Sequence, residues 1–291
     1  MWKGCLVALV TPFKDGEINY KEVASLIEWQ IKEGADGIVP CGTTGESATL
    51  SFEEHKEMVR FVVEKVNGRV PVIAGAGSNN TKESLELLIH AKKVRADGAL
   101  VICPYYNKPT QEGIYEHFKY LAEAVDIPIV LYNVPSRTGV NMEPLTIKRL
   151  SQIKNIVSIK EASGMINQAS AIIDHCNNDL TLLSGEDSLI LPLLSIGGKG
   201  VISATANIVA KDMALLIKKY LSGDIHGAQE LHYKLLPVCH NMFIETNPAP
   251  VKEALYQMGK ISSPEVRLPL VTLREENKER IKKVLSSYGL T

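Results

Sequence analysis

The chain has 291 residues, 45% of them hydrophobic, and a net charge of -1, enough apolar content to bury one large α/β core or two smaller ones. So balanced a charge leaves no electrostatic footprint for nucleic acid or an anionic membrane, and the apolar run from Cys5 to Val10 is too short to span a bilayer. The five cysteines (Cys5, Cys41, Cys103, Cys176, Cys239) are odd in number and mostly inside apolar runs, which predicts reduced core thiols in a cytoplasmic protein rather than a disulfide framework.

The first predicted strand is GCLVALVTPF (4–13). Asn19, with Glu22 three residues on, signals the start of a helix. GIVPCG (37–42) is the second strand, and the turn GTTGES leads from it into SFEEHKEMVRFVVEKVNG. There Val59, Val62, Val63 and Val66 recur at helical spacing behind a Ser51–Glu54 capping box. Strands at VPVIAGAG (70–77), GALVICPYY (98–106), PIVLYNVP (128–135), IVSIKEA (156–162), TLLSGED (181–187) and GVISATAN (200–207) continue the alternation with amphipathic stretches.

Eight such units predict an α/β fold, a (β/α)8 TIM barrel. An open doubly wound sheet is the alternative, but its Gly-x-Gly-x-x-Gly fingerprint is missing after the first strand, where TPFKDG stands. Beyond Gly223 the pattern is purely helical, in HGAQELHYKLLPVCHNMF, VKEALYQMG and REENKERIKKVLSSYG. The expected organisation is a catalytic barrel over 1–223 and a C-terminal helical domain over 224–291. No Cys-x-x-Cys or His-x-x-x-His pair occurs, and Cys239-His240 has no second pair of ligands in view, so no zinc site is expected.

A barrel places its chemistry at the C-terminal ends of the strands. On the sixth strand, alternation puts Ile156, Ser158 and Lys160 on one face and Val157, Ile159 and Glu161 on the other. Lys160 and Glu161 therefore do not pair. A lysine past a strand end is ordinarily solvated, but one held at a barrel mouth among apolar walls is desolvated toward the neutral amine, the form that attacks a carbonyl. That reading makes Lys160 a Schiff-base lysine. Its companions suit carbonyl chemistry. The turn Gly42-Thr43-Thr44-Gly45, ahead of a capped helix, offers hydroxyls and backbone N–H groups to a small carboxylate, or is an ordinary glycine-rich loop. Tyr132, sharing a strand face with Val130, brings a phenol to the mouth for proton transfer, or is a core tyrosine. Arg137 matches a carboxylate in a two-pronged fork, although loop arginines are more often solvated.

GTTGESATL, PYYNKPTQEG, YNVPSRTG, the lysine of IKEASG, SGED, GVISATAN and the late ETNPAPVK, in this order from about residue 4 to beyond 255, resemble the dihydrodipicolinate synthase family of class I, lysine-dependent aldolases. The resemblance implies a (β/α)8 barrel with a C-terminal helical domain and a cytoplasmic homotetramer built from tight dimers. It implies condensation of pyruvate with L-aspartate 4-semialdehyde in lysine and diaminopimelate biosynthesis, with no metal or organic cofactor. It makes Lys160 the imine-forming residue, and has Tyr132 pass protons through Thr43 to Tyr106, which reaches into a neighbouring subunit. Thr44 would hold the pyruvate carboxylate, Gly185 and the Ile202 backbone would line the pocket, and Arg137 would take the carboxylate of the semialdehyde.

The lysine, the tyrosine and the GTTGE-like turn are shared with N-acetylneuraminate lyase and 2-keto-3-deoxy sugar-acid aldolases, so they imply pyruvate-imine chemistry in general; Arg137 is what favours the semialdehyde. A phosphate-binding barrel would place glycine-rich anion loops after strands seven and eight, where GEDSL and ATANI stand. In some members the end product L-lysine binds at the tight-dimer interface, and the positions resembling that site are Ser47, Ala48, His55, Asn79, Glu83 and Tyr105. Ser47 and Ala48 also read as a simple lead into a helix, Glu83 as the capping-box position after Asn80, and His55 as exposed on its helix. Phe52 stands where many lysine-sensitive relatives carry a second histidine. The expectation is weak or absent inhibition.

Overall fold

Each of the eight β-rich runs yields one parallel strand, shorter than the run that predicted it. The computed structural model describes residues 2–177 and 179–291. The strands are β1 (Gly4–Ala8), β2 (Gly37–Val39), β3 (Ile73–Gly75), β4 (Gly98–Ile102), β5 (Ile129–Asn133), β6 (Ile156–Glu161), β7 (Thr181–Ser184) and β8 (Gly200–Ser203). They pair in the order β2-β1-β8-β7-β6-β5-β4-β3. A parallel bridge between Ile38 and Val72 joins the two ends, supported by bonds from Ile38 N to Pro71 O and from Gly75 N to Pro40 O, both 2.9 Å. This is the (β/α)8 barrel that the alternation predicts.

The strands alternate between two separate apolar clusters. Leu6, Ala8, Val39, Ile73, Leu100, Val130, Tyr132, Leu183 and Ile202 pack together inside the barrel, while Cys5, Val7, Ile38, Leu131, Ile159 and Val201 join the larger core under the helices. Because both faces are buried, the strands read as nearly continuous apolar runs. The helices are α1 (Tyr20–Lys32), α2 (Phe52–Val66), α3 (Thr81–Lys93), α4 (Gln111–Ala124), α5 (Pro135–Thr138), α6 (Pro144–Ser151), α7 (Ile166–Cys176), α8 (Ile190–Ser195), α9 (Ala206–Leu221), α10 (Ile225–Asn241), α11 (Ala249–Gln257) and α12 (Glu275–Tyr288). Asn19 caps α1 by accepting from Glu22 N, and Ser51 with Glu54 forms the reciprocal capping box of α2, as expected. α10 packs on α9, and α12 packs on α10 and α11. All five cysteines are free and buried.

Three expectations change. The first predicted strand stops at Ala8, and Phe13–Lys14 instead pairs antiparallel with Glu17–Ile18 in a small hairpin. On β6 the simple alternation fails at its start, because Ile129 pairs with Ile156 while Val130 pairs with Ser158. Val157 is thus an extra residue in the ladder, a bulge, and Ile156 packs in the outer core with Ile159 instead of sharing the inner face with Lys160. His55 is buried rather than exposed, its Nε2 2.7 Å from Gly75 O, and burial holds its pKa below the ordinary histidine value.

Candidate active site

Lys160 lies directly across the β5–β6 ladder from Tyr132. Beyond the bulge, Ser158 and Lys160 face into the barrel, and Ser158 Oγ donates to Thr181 O at 2.8 Å, pinning β6 to β7 below the lysine. Lys160 is only 6% exposed, and its Nζ sits 4.3 Å from the centroid of the Tyr132 ring, a cation–π distance. The adjacent Glu161 turns away and is fully occupied. It accepts from Ser163 N at 2.7 Å, from Asn133 Nδ2 at 3.0 Å and from Gln168 Nε2 at 3.3 Å. Among the described residues no carboxylate pairs with Lys160.

Gly185 is explained by the lysine arm. A Cβ built there would fall 2.6 Å from Ala162 Cβ and 3.0 Å from both Cγ and Cε of Lys160, so only glycine leaves the stem its path. Ile202 lies in the barrel interior as the register partner of Leu6.

Above this interior opens a cleft of about 450 Å³ whose walls include Thr43, Tyr132 and Arg137. The Gly42–Glu46 turn that carries Thr43 is tightly held. Thr11 Oγ1 donates to Gly45 O at 2.7 Å, a Cβ at Gly45 would sit 3.0 Å from Cys41 N and Leu9 O, and the buried Thr44 accepts from Asn247 Nδ2 at 3.0 Å. Arg137, on α5, is exposed, and its Nη2 reaches Asn247 O at 3.4 Å. Tyr106 does not join the others. It is 87% exposed, in the left-handed backbone region at φ 71.

The profile of the dihydrodipicolinate synthetase family matches residues 1–288. The chain belongs to that family. It is 57% identical over 290 residues to the 4-hydroxy-tetrahydrodipicolinate synthase of Syntrophobacter fumaroxidans, with 100% of both chains covered. A crystal structure of a dihydrodipicolinate synthase superposes with a TM-score of 0.97 at 51% identity over 100% of both chains. Another, described as a monomeric dihydrodipicolinate synthase variant, gives 0.98 at 44% identity, covering 100% of this chain and 98% of that one.

In this dihydrodipicolinate synthetase family chain, five of the six positions read as an effector site share the cleft. Ser47, Ala48, His55, Glu83 and Tyr105 line it, as does Phe52, whereas Asn79 does not. Glu83 already accepts from Ser78 Oγ at 2.6 Å and from Asn80 Nδ2 at 3.3 Å.

Sequence reading missed the C-terminal contribution: Asn247, Pro269 and Leu270 also line the cleft. It also missed two acids in the loop after β7. Burial raises the pKa of Glu186, and raises that of Asp187 against the opposing hydrogen bonds from Thr205 and the charge of Lys160; Asp187 Oδ2 accepts from Thr205 N at 2.8 Å. The SGED motif was the available signal. Finally, burial pulls the Lys252 ammonium down to about 8, against the opposing charge of Glu46. Lys252 is nevertheless no rival nucleophile, because its side chain is 0% exposed and ion-paired with Glu46.

Proposed function

We propose that the chain condenses pyruvate, held as a Schiff base on Lys160, with L-aspartate 4-semialdehyde, as a lyase of lysine and diaminopimelate biosynthesis. The observation that carries this reading is the buried Lys160, without a carboxylate partner among the described residues, set across the ladder from a phenol, with Gly185 clearing its path.

Lys160 Nζ attacks the keto carbon of pyruvate, and loss of water gives the imine. Loss of a methyl proton then gives the enamine, whose carbon bonds to the aldehyde of the second substrate. The amino group of that substrate attacks the former keto carbon and displaces Lys160, closing the ring. The Tyr132 hydroxyl moves the protons of these steps, and Thr43, which also lines the cleft, continues the relay. Thr44 and the backbone of its turn hold the pyruvate carboxylate, Gly185 and Ile202 bound the interior beside the lysine, and Arg137 at the rim takes the second carboxylate.

The exposed, left-handed Tyr106 supports a homotetramer of tight dimers in which this tyrosine completes a neighbour's relay. Five buried free thiols favour a cytoplasmic setting. In this proposal residues 1–223 are the catalytic barrel and 224–291 its helical appendage.

The test is turnover of the purified protein with pyruvate and the semialdehyde, alongside Arg137→Ala. Losing a charged hydrogen bond costs about 1.5–3 kcal/mol, so Arg137→Ala should raise the semialdehyde requirement roughly ten- to a hundred-fold while sparing imine formation. Faster turnover of N-acetylneuraminate than of the semialdehyde would contradict the assignment.

A further inference from the structure

Glu46 and Lys252 form an ion pair in which both side chains are 0% exposed. Glu46 ends the Gly42–Glu46 turn in the left-handed region at φ 55, a conformation that a side chain of this size rarely adopts without being held. Every group around the pair has a defined place. Glu46 Oε2 accepts from Arg267 N at 3.1 Å, Lys252 Nζ donates to Glu265 O at 2.8 Å, and the Lys252 ammonium and the Arg267 guanidinium lie 4.1 and 4.4 Å from the Phe13 ring centroid. Arg267 in turn donates to both carboxylate oxygens of Glu54, the third residue of α2, at 2.6 and 2.8 Å.

An apolar pair of similar volume would fill such a site at least as stably, since desolvating two charges is costly. What the charged pair adds is a fixed direction: it ties the last residue of the turn to α11 and to the segment that follows it. Asn247, just before α11, holds the same turn through Thr44.

We infer that the Glu46–Lys252 pair is a positioning device, by which the C-terminal segment fixes Thr43 and Thr44 for pyruvate. This rests on the proposal that Thr44 receives the pyruvate carboxylate. Neither charged residue touches substrate in this account; both act through the turn.

Steady-state kinetics, borohydride trapping with pyruvate and thermal unfolding of E46Q, K252M and the E46Q/K252M double variant test the inference. The isosteric E46Q and the double variant, which strands no buried charge, keep the test open where K252M alone does not fold. The expected result is a pyruvate KM raised about tenfold or more in each folded variant, since small misplacements of a positioning group are expensive. The semialdehyde KM should stay within about twofold, marking loss of one substrate's contacts only. In the double variant the unfolding midpoint should recover relative to K252M while the pyruvate KM stays high. Recovery of KM together with the midpoint, or a pyruvate KM within about twofold of the parent throughout, would overturn the inference. If the parent protein forms no pyruvate adduct on Lys160, the proposed function fails instead; a parent adduct with unaltered variants refutes the positioning role alone.

Discussion

Tyr132 and Lys160 are register partners on β5 and β6, and the lysine Nζ rests 4.3 Å from the centroid of the tyrosine ring. The ring supplies an apolar wall and the hydroxyl a proton path, two roles that one substitution separates. Tyr132→Phe keeps the ring contact and removes the hydroxyl. It should lower kcat by roughly 10²–10⁴-fold, the usual size of a general acid–base contribution, with little change in thermal midpoint. Stopped-flow imine formation and steady-state turnover measure it.

Gly185→Ala tests whether the glycine exists for the lysine. The added methyl meets Ala162 Cβ at 2.6 Å and the Lys160 stem at 3.0 Å, an overpacking of about 1–3 kcal/mol. Pyruvate trapping should be lost. Adding Ala162→Gly relieves one contact and not the other, so the double variant should regain stability and remain unreactive. Trapping restored by Ala162→Gly would show that the clash with Ala162, not crowding of Lys160, was responsible.

Strand–helix alternation made the barrel legible, and Ser51 with Glu54 announced α2 three residues apart. The bulge at Val157 was not legible, because IVSIK reads as an even alternation whether or not one residue slips out of the ladder. His55 was misplaced because helical spacing marks a face without saying what covers it, and here the end of β3 does. Lys160, Tyr132 and the threonine turn stood out as polar groups at strand ends. Their supports did not, since Asn247 meets Thr44 and Lys252 meets Glu46 across some two hundred residues of chain, a separation that no local pattern encodes.

L-Lysine should inhibit weakly or not at all. Both Glu83 oxygens are engaged by Ser78 and Asn80, His55 Nε2 is bound to Gly75 O, and Phe52 supplies an apolar wall, leaving few free partners for an ammonium. Titration of L-lysine into a coupled turnover assay checks this. Strong inhibition at sub-millimolar lysine, abolished by Glu83→Ala, would contradict it.

Acid should destabilise the protein through His117. Its ring is buried on α4 with Nδ1 2.9 Å from Thr81 Oγ1, and burial lowers its pKa to about 4. Above the unfolded value of ~6.5 neither state is protonated, so the group is silent. As pH falls from ~6.5 toward 4 the unfolded chain binds a proton that the folded one refuses, and stability drops by up to roughly 3 kcal/mol. Urea unfolding at pH 7 and pH 4.5 should show the loss, and His117→Gln should remove most of it. His55, lowered in the same direction, accounts for part of the remainder.

The central claim is that Lys160 carries pyruvate, and peptide mass spectrometry after borohydride reduction in the presence of pyruvate tests it most directly. The account predicts one reduced pyruvate adduct, on Lys160, absent from Lys160→Met. Lys252, the lysine whose pKa burial lowers to about 8, should stay unmodified inside its ion pair with Glu46. An adduct on Lys252, or no adduct on any lysine, would contradict the account.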